Sequence, residues 1–372
     1  MAFVGQWCSC KPARQGRILT GWTTSVSVLA HRHLLSPSQQ PSWSLGTGQG
    51  AHPASRAPSG RPSPRRVPRS FGRLAPAHRR RTATSLRMTT TAAAAAAAEK
   101  HQPRFLHAVY RVADVQRSVD YYVRALGMRL LRERDMPQDR FKNAFVGYGD
   151  EREGYFSLEL TENYGVKSYH LGDAFGHFGL ATPNVHELVE RARAAGAEVT
   201  REPGPVQGGR TVMAFIRDPD GFLFEILERP QRRARDPFCQ VMLRVGDLQR
   251  AMQFYERALG MRAFRTHRNE AHHYTLGFVG YGESEQDGMV LELTENDGVS
   301  EYDHGDAYAQ VALSTDDVYA AAERLRNAGA NITREPGPLP GIGTKIVSAR
   351  DPDGHKFVLV DWTDFLREFE HE

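Results

Sequence analysis

The segment FLHAVYRVADVQRSVDYYVRALGM, Phe105 to Met128, returns as FCQVMLRVGDLQRAMQFYERALGM, Phe238 to Met261, at an offset of 133 residues. The same offset carries TREPGP from Thr200 to Thr333 and DPDG from Asp218 to Asp351, without a gap. A gapless repeat this long means two copies of one domain, expected at residues 104–230 and 237–372 and joined near RPQRRARDP, Arg229 to Pro237.

Each copy contains a second, weaker repeat. Its first half reads as a strand (Leu106–Val112), a helix (Gln116–Leu126) and strands near Arg129–Asp135, Ala144–Tyr148 and Phe156–Thr161. The helix follows from Val119, Tyr122, Val123 and Leu126 recurring three and four residues apart. The second half reads as a strand (His177–Thr182), a helix (Val185–Ala195) and strands at Glu198–Arg201, Thr211–Arg217 and Phe222–Glu228. Gly127 and Gly196 stand where helix C-caps are expected. DPDG reads as a tight turn between strands and REPGP as loop punctuation, both structural. The fold class is α+β, four βαβββ units in a row.

On the first and last strands of these units, polar residues interrupt apolar runs. SLELTEN (Ser157–Asn163) and VLELTEN (Val290–Asn296) each set a glutamate between two leucines, and alternation turns Glu159 or Glu292 away from those leucines. The matching positions are His107 and Glu159 in unit one, His177 and Glu225 in unit two, Gln240 and Glu292 in unit three, Gln310 and Val358 in unit four. A lone strand histidine is ordinarily a hydrogen-bonded core residue, and a lone strand glutamate ordinarily faces solvent. Recurrence across the units changes that reading. His, Gln and Glu present the nitrogen and oxygen donors a divalent ion takes, and an ion removes the cost of burying the carboxylates. His170, His272, His273 and His304 fall in loops or at strand edges and read as surface residues.

Charge is divided unevenly. Residues 1–98 hold 14 of the 48 Lys and Arg and no Asp or Glu, which leaves 34 basic against 44 acidic residues in the remainder, a net of −10. An acidic body argues against a nucleic-acid partner, which requires a basic footprint. No run of roughly 18 apolar residues suggests a membrane span. Cys239 is the one cysteine of the body, which suits a reducing compartment, since Cys8 and Cys10 lie in the leader. That leader is rich in Arg, Ser, Ala and Pro and ends in TTTAAAAAAA (Thr89–Ala98), the composition of an organelle transit peptide. Its length and prolines favour the chloroplast over the mitochondrion; a start at Met88 would leave a cytosolic form, and a disordered basic arm is the plainer alternative.

Taken together, FLHAVYRV, NAFVGYG, LELTEN, FGHFGLA, TREPGPVQGG, AFIRDPDG and FEILE resemble glyoxalase I of the vicinal oxygen chelate superfamily, in the fused two-domain form found in plants. The likeness spans Phe105 to about Glu368. It implies two tandem glyoxalase domains whose curled mixed sheets close around a metal. It further implies isomerisation of the methylglyoxal–glutathione hemithioacetal to S-lactoylglutathione, with glutathione as part of the substrate. A proton leaves a carbon beside a carbonyl, a divalent ion stabilises the enediolate as a Lewis acid, and a carboxylate carries the proton to the neighbouring carbon. The family roles fall on Glu225 as that base, with His177 as ligand. Arg111 and Asn163, or their copies Arg244 and Asn296, match positions that hold the γ-glutamyl end, and Arg201 and Arg210 are candidates for the glycyl carboxylate.

Two pairings of units are compatible with the pattern. If units one and two pair, the site is His107, Glu159, His177 and Glu225. In the family's dimeric members each site takes ligands from both subunits. Carried to a fused chain, this gives Gln240, Glu292, His177 and Glu225 in one site, and His107, Glu159, Gln310 and Val358, without a base, in the other. The second pairing is preferred here, with one working site, one divalent ion and a monomeric chain. The resemblance favours nickel or cobalt, with zinc also compatible. A second glutamate in the ligand set argues against an extradiol dioxygenase, which uses two His and one carboxylate around iron. Glu225 argues against a metal-free binding protein of the same fold.

Overall fold

The computed structural model describes residues 101–206, 209–230, 234–340 and 343–370. The basic leader with Cys8, Cys10 and Met88 lies outside them, as do residues 231–233 of the junction.

Unit one comprises β1 (Phe105–Arg111), α1 (Val115–Tyr121), β2 (Arg129–Met136), β3 (Phe141–Gly147) and β4 (Ser157–Asn163). Unit two comprises β5 (Phe175–Thr182), α2 (Val185–Ala194), β6 (Glu198–Pro205), β7 (Val212–Arg217) and β8 (Leu223–Glu228). Unit three repeats the order with β9 (Phe238–Arg244), α3 (Leu248–Leu259), β10 (Arg262–Asn269), β11 (Tyr274–Gly280) and β12 (Val290–Asn296). Unit four has β13 (Tyr308–Thr315), α4 (Val318–Asn327), β14 (Asn331–Pro338), β15 (Lys345–Arg350) and β16 (Lys356–Asp361), and a short helix α5 (Trp362–Arg367) follows.

Local chemistry sets the helices. Asp114, Asn184, Asp247 and Asp317 cap α1 to α4, each side chain accepting a first-turn backbone N–H. In α3, Leu248, Ala251, Phe254, Tyr255, Ala258 and Leu259 form the buried stripe expected of an amphipathic helix. The expected helix over 116–126 is α-helical only to Tyr121 and then widens into a π turn, Tyr122–Leu126. REPGP is not a loop. Arg201 to Pro205 complete β6, and its copy completes β14. Both are edge strands with irregular pairing, where a proline needs no ladder partner.

The strands form two mixed eight-stranded sheets, and neither is built from one sequence domain. Their orders are β14-β15-β16-β13-β1-β4-β3-β2 and β10-β11-β12-β9-β5-β8-β7-β6. Units one and four therefore share one sheet, units two and three the other. Antiparallel seams join them, β1 to β13 and β5 to β9, while first and last strands within a unit run parallel.

Sequence neighbours are held together differently, through helices and turns. Asp220 of the first DPDG turn accepts from Ala113 N at 2.8 Å, Arg117 Nη2 at 2.6 Å and Ser118 Oγ at 2.8 Å, all at the start of α1. Asp353 does the same for Gly246 N at 2.9 Å and Arg250 Nη2 at 2.7 Å at the start of α3. Hydrogen bonds to a charged acceptor contribute about 1.5–3 kcal/mol each, so the turns fasten unit two to one and unit four to three. Buried Asp218 and Asp351 reinforce this by accepting from Tyr122 and Tyr255 hydroxyls. The loops before β5 and β13 cross where Gly172 and Gly305 meet. Both have positive φ, and a Cβ on either would stand 2.2 Å from the facing backbone.

Cutting the chain between the copies tests this arrangement. Residues 104–230 alone would leave the β1 and β5 edges without β13 and β9, and unpaired apolar edges associate. The fragment is expected to sediment as a dimer in which β1 of one copy pairs with β5 of the other. A stable monomer would show that the seams are dispensable.

Candidate metal centre

His177, Glu225, Gln240 and Glu292 come together in the second sheet, each on one of its four central strands. The register explains the convergence. Gly179 pairs with Glu225 across β5 and β8 and with Gln240 across β5 and β9, while Met242 pairs with both His177 and Glu292. Opposite Gln240 the chain places Gly179, where a Cβ would lie 2.1 Å from Gln240 Cγ, so the missing side chain makes room for the amide.

Gln240 Nε2 donates to Glu225 Oε2 and to Glu292 Oε2, both at 2.6 Å, and lies 3.3 Å from His177 Nε2. His177 Nε2 is 3.2 Å from Glu225 Oε2. One ligand atom each from His177, Glu225 and Glu292 falls within 4.8 Å of the others, close enough for one ion to reach all three. All four residues are buried, with exposures of 1 to 8 %. Burial pushes the Glu292 carboxyl up to about 7 and neighbouring Glu225 adds to this, while His177, Arg265 and Arg229 oppose it. Burial works against a charge on His177, but the hydrogen bond and charge of Glu225 outweigh it and raise its pKa. Two buried carboxylates, an imidazole and an amide fit a divalent ion. Their charge is −2, and the donors are the N and O types such ions take. The amide would turn to offer its oxygen, because amide nitrogen donates and does not ligate.

The first sheet brings together His107, Glu159, Gln310 and Val358, and there the chemistry differs. His107 Nε2 lies 3.6 Å from Glu159 Oε2, and Asn143 Nδ2 donates to Glu159 Oε1 at 2.9 Å. Burial, helped by Arg132, pulls His107 down to about 3, and burial pushes Glu159 up to about 7, so both charges are disfavoured. Val358 sits in an apolar cluster with Leu106, Phe141, Ala312, Ile346, Val360 and Phe365 of α5. Beside it, Arg132 is sealed in, paired with Glu151 at 2.9 Å, 3.6 Å above the Phe145 ring, and 4.0 Å from Glu368 beyond α5.

The other candidates separate by sheet. Arg244 and Asn296 stand four residues beyond Gln240 and Glu292 on β9 and β12, on the same strand faces and about 13 Å away at 3.3 Å per residue. Arg244 donates to the carbonyls of Asp173 and Phe175, and Asn296 Nδ2 to the Tyr302 hydroxyl at 3.0 Å. Arg111 and Asn163 hold the equivalent places in the first sheet, Arg111 on the Asp306 carbonyl and Asn163 on the Tyr169 hydroxyl. Arg201, on edge strand β6, donates to the Pro205 carbonyl, and Arg210 is exposed ahead of β7. Of the histidines read as surface residues, His170, His272 and His273 are exposed. His304 is not. It is half-buried, with Nε2 at 2.9 Å from the Asp353 carbonyl and its ring against His355.

Two arginines near the centre escaped the sequence reading. Arg265 lies 3.7 Å above the ring of Phe278, the strand partner of Glu292. It and Arg132 are related by the 133-residue offset, a signal that was available. Arg229 Nη2 reaches Gln240 Oε1 at 3.5 Å, but position 362 of the second copy is tryptophan, so the repeat carries no hint of it.

Comparison with known proteins agrees with this geometry. The family described as the Glyoxalase/Bleomycin resistance protein/Dioxygenase superfamily matches residues 104–226 and 238–359. The chain is 56% identical over 267 residues to a probable chloroplastic lactoylglutathione lyase of Arabidopsis thaliana, covering 72% of this chain and 75% of the relative. It is 50% identical over 125 residues to the lactoylglutathione lyase of Escherichia coli O157:H7, a match of 34% of this chain to 92% of that one. The crystal structure of glyoxalase I from Zea mays superposes with a TM-score of 0.70 at 52% identity, over 73% of this chain and 96% of the maize one. The tandem units, the buried ligand cluster and these identities place the chain in the glyoxalase I family of the vicinal oxygen chelate superfamily.

Proposed function

We propose that the chain isomerises the hemithioacetal of methylglyoxal and glutathione to S-lactoylglutathione, at the one site built from units two and three. The observation that carries this is the buried convergence of His177, Glu225, Gln240 and Glu292, set against Val358 at the fourth position of the other sheet. A divalent ion held by these four, nickel or cobalt by family likeness, supplies a Lewis acid for the negative charge that develops on the substrate.

The remaining work belongs to side chains. Glu225 takes the proton from the carbon beside the carbonyl and returns it to the adjacent carbon, which changes the oxidation level of both without any external redox partner. Its carboxylate is placed for this role by geometry, buried with Oε2 at 2.6 Å from Gln240 Nε2 and 3.2 Å from His177 Nε2. Arg244 and Asn296, at the far end of the same strand faces, hold the γ-glutamyl end of glutathione. Arg111 and Asn163 serve the second cleft, which lacks a base. Arg201 and Arg210 remain candidates for the glycyl carboxylate. A dioxygenase is disfavoured by the second carboxylate in the set.

Thioester formation followed at 240 nm tests this reading. Chelation should abolish turnover and added divalent ion restore it; an apo-protein of undiminished rate would remove the mechanism. Glu225→Gln should lower kcat by about 10²–10⁴-fold, the usual contribution of a general base. Glu292→Ala should abolish both turnover and tight metal binding, whereas Glu159→Ala should leave the rate within about twofold, since about 0.4 kcal/mol separates such rates. Equal damage from both, at equal thermal stability, would sink the single-site reading.

The acid-free leader and the chloroplastic relative in Arabidopsis thaliana together support a plastid address. Residues 1–98 fused to a fluorescent protein should enter plastids, and a diffuse cytosolic signal would contradict the address.

A further inference from the structure

Arg229 follows β8, four residues after Glu225, and its backbone N–H is pinned to the Thr182 carbonyl at 2.9 Å. Its guanidinium turns inward. Nη2 meets Gln240 Oε1 at 3.5 Å, and Nη1 is buried with no hydrogen-bond partner among the described residues. No carboxylate among the described residues forms an ion pair with it. Arg265, the other cation near Glu292, differs in this respect, because it is paired with Glu285.

A half-buried cation with no ion pair of its own among the described residues helps to offset the two buried carboxylates before an ion binds, but it becomes an electrostatic liability once a divalent ion joins them. It opposes the very ion that the four ligands are suited to hold. Something has to make that arrangement worthwhile, and the charge count says what. Two carboxylates and a divalent ion sum to zero, so Arg229 leaves the loaded centre positive. A positive centre favours a substrate that becomes anionic as it reacts, which is what happens when Glu225 removes a carbon-bound proton. The negative charge stays on the substrate oxygens until the proton returns to the neighbouring carbon.

The corresponding position in the first sheet bears this out by contrast. Where the base is replaced by Val358, the equivalent of Arg229 is Trp362, and the nearby Arg132 is neutralised by Glu151. The free cation accompanies the base. Gln240 also supplies a release mechanism: presenting its amide oxygen to an ion withdraws the acceptor that Arg229 now uses.

Building on the function proposed above, we infer that Arg229 is a charge-stabilising residue of that site, freed from Gln240 on metal loading to face the anion formed during proton transfer. Its guanidinium reaches Gln240 itself, whereas that of Arg244 is turned to the Asp173 and Phe175 carbonyls.

Two readouts of opposite sign test this. Arg229→Met should lower kcat by about 10²-fold, the typical loss when one oxyanion donor is removed, with KM changed less than threefold. The same variant, stripped of metal and titrated with nickel, should bind the ion about tenfold tighter, because a like charge has gone. Arg229→Lys should retain most of the rate and most of the wild-type nickel affinity. Loss of rate and of nickel affinity together would mark Arg229 as a structural prop and overturn the inference, as would an unchanged kcat. If the wild-type protein has no isomerase activity, the proposed reaction fails. The nickel titration still decides whether Arg229 opposes the ion, so the two failures are told apart.

Discussion

The antiparallel seam between β5 and β9 is the interaction on which the functional architecture depends. Before that seam forms, His177 and Glu225 belong to one half of the chain and Gln240 and Glu292 to the other, with the junction between them. Pairing Gly179 with Gln240 closes the gap, because the glycine admits the amide into the space between the two carboxylates. The seam fixes more than the ligands. Since side chains alternate with a period of two, the register that turns Glu225 and Leu227 to the cleft turns Phe224 and Ile226 to the helices. Site and core are thus two faces of one set of hydrogen bonds, and a slip by one residue would lose both.

How much of this could be read from residues alone follows from the range of each interaction. The four units, their strand order and the polar position on each terminal strand rest on local alternation and on an offset of 133, both visible in one dimension. Which units share a sheet is decided by backbone pairing between β5 and β9, and backbone leaves no mark in side-chain identity. Both combinations of ligands were therefore compatible with the pattern, until a likeness to dimeric relatives favoured one. REPGP misled for a physical reason. Proline is excluded from a strand by its missing N–H, but that objection lapses at an edge, and edge status is a tertiary fact. The π turn at Tyr122–Leu126 has no counterpart in α3, whose own end shares the ALG sequence, so no local code distinguishes them. Arg229 and α5 break the repeat that made the units and their polar positions legible, so the offset carried no sign of them.

That break sets the two clefts apart while the fold stays common to both copies. The duplicated frame is held by ladders, by helix faces and by the aspartates of the DPDG turns, all present in both copies. Ligand residues contribute little to that frame and cost something, because a buried polar atom without its partner is destabilising by roughly 1–3 kcal/mol. In the cleft of units two and three, a divalent ion held by the four residues would offset this cost. In the other, α5 lays Phe365 against the cluster around Val358, and burying a valine side chain contributes about 1.5–3 kcal/mol. A glutamate at 358 would face Phe365, Phe141 and Ile346, so valine is the cheaper occupant once the helix is in place. Glu159 persists because Asn143 hydrogen-bonds it, and the histidine beside it stays neutral through burial. Phe365 of α5 packs in the cluster around Val358, and the absence of a carboxylate there lets the helix pack without burying a charge.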